Sequence, residues 1–103
     1  MYNKNVERKL IIMNQKKIIV KWNKEQYELI PTVDHWIGLI SVDIRKVTHP
    51  NRKFFRTTLV KIKNFNLNDF DSIEEGCRFC FSQYVAEYKK YLALQEKIDK
   101  FYK

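Results

Sequence analysis

The apolar positions change period once along the chain, and that change divides it in two. Between residues 8 and 30, the runs "RKLIIM", "KKIIVKW" and "EQYELI" are separated by Asn14–Gln15 and Asn23–Lys24. Isoleucine, valine, tyrosine and tryptophan suit a half-buried pleated surface, and asparagine accepts left-handed turn positions, so these runs predict short strands. Pro31 and Asp34 break the pattern. "HWIGLISVDIRKV" then alternates, with Trp36, Ile40, Val42 and Ile44 on one face and Ser41, Asp43 and Arg45 on the other. "KFFRTTLVKIKNF" alternates less regularly. Phe54, Val60 and Ile62 are expected inside, with Phe55, Thr57, Lys61 and Lys63 outside; Arg56 and Leu59 break that scheme and predict a bulge near Thr57. Between these two strands, "THPNRKFFR" (48–56) is the hairpin connection, with Pro50 and Asn51 supplying turn chemistry.

From Asp71 the period becomes helical. In "DSIEEG", Asp71 or Ser72 can cap a helix, with Glu74 or Glu75 three residues on. No proline follows, so the helix is expected to run to Phe101, roughly 45 Å at 1.5 Å per residue. A ten-residue strand covers only roughly 33 Å. Cys77, Cys80, Tyr84, Glu87, Tyr91, Leu94, Ile98 and Phe101 recur at three- and four-residue spacings, and all but Glu87 are apolar. The first half of this stripe can cover a sheet. The second half, with Tyr84, Tyr91, Leu94, Ile98 and Phe101 as its contact residues, is expected to meet a second copy or another protein, unless the helix breaks near 92–94 and folds back. The predicted fold is α+β: one domain over 1–103, an antiparallel β-meander of about five strands (8–65) backed by one long C-terminal amphipathic helix (71–101).

Charge adds to this picture because it is segregated. Residues 1–67 hold 14 Lys or Arg against 5 Asp or Glu, whereas residues 68–103 hold 6 against 7. The formal net charge of +8 therefore belongs to the strand half. Such an excess favours a polyanionic partner, nucleic acid before membrane. The cations expected to meet it are Lys21, Arg45, Lys46, Arg52, Lys53, Arg56, Lys61 and Lys63, with Phe55 beside them to stack on a base. A solvated outer face whose lysines discourage edge pairing explains the same pattern without a ligand.

Other chemistry is sparse. "CRFC" (Cys77 to Cys80) falls inside the helix and reads as two small core residues; His35 and His49 lie 14 residues apart, at no standard zinc spacing. Two glycines cannot form a phosphate-binding loop, and neither histidine has a partner at a catalytic spacing. The expectation is a non-enzyme with no metal and no cofactor. The apolar run at 10–13 is too short for a secretory leader, and two cysteines without one point to the cytoplasm, with no membrane partner.

The order Trp36-to-Val47 strand, basic turn, Lys53-to-Phe65 strand, then "FDSIEEGCRFCFSQYVAEY" resembles the small sheet-plus-helix DNA-binding domains of the AP2 and phage-integrase arm-binding type. Phe70, Ser72 and Glu75 stand where those families begin their helix, with Gly76 in place of the usual alanine. The resemblance implies a sheet laid in the major groove, read by Arg45, Arg56, Lys61 and Lys63, and so favours DNA over RNA. The helix here is longer, and the N-terminal strands are additional. By element order alone, the chain is also similar to single-strand-binding proteins of the transcription-coactivator and Whirly kind. Two functions follow: a nucleic-acid-binding module, or a protein-interaction module such as a small adaptor or a phage-type inhibitor from a mobile element.

Overall fold

The computed structural model describes residues 16–34 and 37–103. Strands β1 (Ile18–Trp22), β2 (Glu25–Asp34), β3 (Leu39–Val47) and β4 (Thr57–Asn66) form one antiparallel sheet in chain order. A short 3-10 turn, Leu67–Asp69, leads to helix α1 (Ile73–Phe101). This is the expected α+β meander and helix, with four strands among the described residues. The additional strand expected over 8–13, the Asn14–Gln15 turn, and His35 with Trp36 lie outside them.

Local chemistry sets the element ends. Asn23 and Lys24 both take left-handed backbone, φ 54° and 66°, and close the two-residue β1–β2 hairpin. Ser72 caps α1, its hydroxyl accepting from the Glu75 N–H at 3.1 Å, as the Ser-x-x-Glu spacing predicts. Pro31 does not end β2 as expected. It lies two residues beyond Leu29, the last position paired with β1, so no described strand on that side needs its missing N–H.

Helix α1 covers one face of the sheet. Leu29, Ile40, Val42 and Ile44 are fully buried there, each contributing roughly 1.5–3 kcal/mol, and Cys77 and Cys80 pack onto them. Near its start α1 rests Gly76 directly on the Phe65 ring, at the end of β4. Fifteen ångströms or more along the axis, Tyr88 meets Trp22, the last residue of β1, edge to face at 5.5 Å. The helix therefore runs towards the end of the sheet that carries the β1–β2 turn and the β3–β4 connection. Beyond Tyr88 it continues unbroken for 13 residues to Phe101, roughly 20 Å further along its axis. The fold-back near 92–94 does not occur.

Candidate nucleic-acid interface

A β-bulge corrects the expected faces of β4. Ile44 pairs with Lys61 but Arg45 pairs with Leu59, so Val60 is the extra residue, three positions after the expected site at Thr57. Directly opposed residues share a face. Lys61, Lys63 and Phe65, opposite Ile44, Val42 and Ile40, consequently lie on the helix side. Ile62, expected inside, is 52% exposed on the open face, and Phe54, also expected inside, is exposed in the connection. Lys63 forms an ion pair with Glu87 of α1, whose carboxyl is held below its ordinary range chiefly by that hydrogen bond. Lys61 and Lys63 cannot act from the outer sheet face, as both the alternation and the groove-reading arrangement required.

The outer face presents a mixed surface rather than a basic one. Ile19, Leu59 and Ile62 are exposed there. Glu28 is only 4% exposed and accepts cations on both oxygens, Lys17 at 3.5 Å and Arg56 at 3.4 Å. Arg45, cross-strand from Glu28, donates its Nε–H to the Thr57 hydroxyl at 2.9 Å. Arg56 and Arg45 are thus engaged in holding the base of the 48–56 connection against the sheet. Lys46 pairs with Glu25 at 3.8 Å on the helix side, and Lys21 stays on the outer face of β1.

What remains free is the connection itself. The Arg56 carbonyl accepts from the backbone N–H groups of Thr48 and His49, both at 2.9 Å, which closes the loop at its base. Arg52 N–H donates to the His49 carbonyl at 3.1 Å, forming the tight turn that Pro50 and Asn51 predict. Residues 48–55 are all exposed; Phe54 is 73% and Phe55 87% accessible. Phe55 also takes left-handed backbone, φ 56°, a conformation that costs a bulky aromatic residue on the order of 1–2 kcal/mol. Among the described residues no packing of its ring offsets that cost. Among the described residues, no carboxylate pairs with Arg52, Lys53, Lys21 or Lys24. Arg52 and Lys53 immediately precede the phenylalanine pair, and Lys24 sits in the turn at the same end of the sheet.

Of the nine residues expected to contact nucleic acid, the structure leaves Arg52, Lys53 and Phe55 together at one exposed tip, with Lys21 near the same end. Phe54 joins them and was misplaced because strict alternation was carried back into the connection. Glu28 was not anticipated; an acidic residue within "EQYELI", at a position that opposes Arg45, was the available signal. Tyr84, expected at a partner interface, packs instead on Tyr27 and Phe81, at ring distances of 6.1 and 6.0 Å. Cys77 and Cys80 are buried, and burial pushes the Cys77 thiol up from its usual 9.0 to about 12 and raises Cys80 as well. A thiol held neutral is a poor nucleophile and a poor ligand, so the pair serves as core.

In comparisons with protein-family models, curated proteins and solved structures, nothing matches the chain. No helix of the described residues is long and apolar enough to cross a membrane.

Proposed function

We propose that the protein binds nucleic acid through the basic end of its sheet, with the 48–56 connection as the principal contact and single strands as the preferred form. One observation carries the reading: Phe55 is held in a costly left-handed conformation with its ring in water, next to a second exposed aromatic ring and to Arg52 and Lys53, which no carboxylate among the described residues pairs with. Strain that the fold does not use points to a role outside the fold. Cations track phosphates, and an exposed ring stacks on any base that is already unstacked, which duplex bases are not. Lys21 and Lys24 extend the positive track across the end of the sheet.

Phe55→Asn separates this from a purely solubilising loop. Asparagine tolerates the left-handed region, so the variant is expected to be as stable as the parent or about 0.5–1 kcal/mol more so. Its affinity for a labelled oligonucleotide should fall roughly 5- to 100-fold, the range for losing one stacked base. Unchanged affinity would remove Phe55 from the site. The Arg52→Glu, Lys53→Glu double variant should weaken binding of all single strands alike by about tenfold or more, because phosphate contacts carry no sequence information. A loss confined to one sequence would contradict that role.

The second reading, a protein-interaction module, is favoured by the other exposed feature at this end of the molecule. Tyr91, Leu94, Ile98 and Phe101 lie uncovered on the overhanging half of α1.

A further inference from the structure

We propose that the overhanging segment of α1, residues 91–103, is a homodimer interface in which two copies pair antiparallel, centred near Ile98. The stripe that buries Cys77, Cys80 and Tyr84 against the sheet continues without a phase change through Tyr91, Leu94, Ile98 and Phe101, with Tyr102 alongside. Past Tyr88 no strand of the described residues lies beneath it, and these side chains are 48–79% exposed. An apolar stripe of this width on a helix faces a partner when the helix is stable, and α1 extends one turn after another without a break.

The occupant follows from size and geometry. Three aromatic and two aliphatic side chains at those exposures offer on the order of 600 Å² per copy, or about 1,200 Å² for a pair, which meets the lower bound for specific interfaces. Trp22 and the end of the sheet block the stripe at Tyr88, so a partner helix lies along the part beyond it. The stripe faces the same side as the sheet, so a parallel pair would drive the two sheets together, whereas an antiparallel pair keeps them at opposite ends. Ile98 is the middle one of the exposed stripe residues Tyr91, Leu94, Ile98, Phe101 and Tyr102. Ile98 then meets Ile98 of the second copy, and Leu94 lies opposite Tyr102 of that copy.

The segment 89–103 holds five lysines against Glu96 and Asp99. Self-pairing therefore brings like charge together, and added salt should hold or strengthen the dimer. Nucleic-acid binding should respond in the opposite direction, so the two claims fail independently.

Sedimentation of the full chain without nucleic acid, from about 5 to 500 µM, reads the interface directly. The expected result is a shift from the 12.6 kDa monomer to twice that mass, with association at least about tenfold weaker in Leu94→Asp. Leu94 is exposed in the monomer, so the variant should keep its helicity and melting temperature. Under mild copper–phenanthroline oxidation, Ile98→Cys should cross-link to itself, and Lys100→Cys, on the opposite side of the helix, should not. The native thiols are buried and do not compete. A single monomeric species throughout the range overturns the proposal, as does cross-linking of Lys100→Cys as fast as Ile98→Cys.

Discussion

Between pH 9 and 12 the protein is expected to unfold at a temperature where it is stable at pH 8. Burial raises the Cys77 thiol from 9.0 to about 12 and the Tyr27 hydroxyl from 10.0 to about 12, with the neighbouring Tyr84 a second contributor to Tyr27. Cys80 and Tyr84 are raised in the same direction, each by burial. In the folded state these groups keep their protons at pH values where the unfolded chain has lost them. Stability is therefore complete below pH 9 and declines as pH rises from the unfolded values towards the folded ones. At 1.36 kcal/mol per pH unit, Cys77 and Tyr27 together amount to several kcal/mol, comparable with the roughly 5–10 kcal/mol that holds a domain of this size together. Urea midpoints followed by circular dichroism at pH 8, 10 and 11 should fall steadily. In the Cys77→Ala, Cys80→Ala variant the decline should begin about one unit higher, where Tyr27 takes over. A midpoint that holds to pH 11 would mean the thiols are not held as described.

Gly76→Ala should destabilise the fold by about 1–3 kcal/mol, although alanine is the better helix former by about 1 kcal/mol. A Cβ at this position would meet the edge of the Phe65 ring well inside the 3.0 Å that real Cβ atoms keep. The ring cannot yield easily. It is 6% exposed and held edge to face against Phe70 at 5.3 Å. The close approach is what brings the start of α1 onto the end of β4, and everything downstream on the helix is aimed from there. Thermal unfolding checks the sign: a stabilised alanine variant would show that the helix start is free to shift.

Much of this was legible along the chain. Asn23–Lys24 specified a two-residue turn because both positions need left-handed backbone, and Ser72 with Glu75 marked the helix start by its hydrogen bond. Ile40, Val42 and Ile44 announced a half-buried strand by alternation. Strand β4 was misread because one inserted residue, Val60, inverts the parity of everything around it, and a bulge has no composition of its own. The corrective signal lay elsewhere: Glu87 is the one polar residue on the sheet-facing stripe, and a carboxylate there calls for a cation opposite, which Lys63 supplies. Phe55 shows the limit from the other side. Left-handed backbone at a phenylalanine follows from no local propensity, so nothing in the sequence foretells it.

The central claim is that unpaired cations and exposed rings at one end of the sheet bind nucleic acid. Fluorescence anisotropy of the full chain with labelled single- and double-stranded DNA and RNA, at about 50 and 200 mM salt, tests it most directly. Three to four phosphate contacts, from Arg52, Lys53, Lys24 and Lys21, predict a loss of about 20- to 50-fold in single-strand affinity over that range, with duplexes bound more weakly throughout. Absence of binding at the lower salt, or affinity that salt leaves unchanged, would contradict the claim.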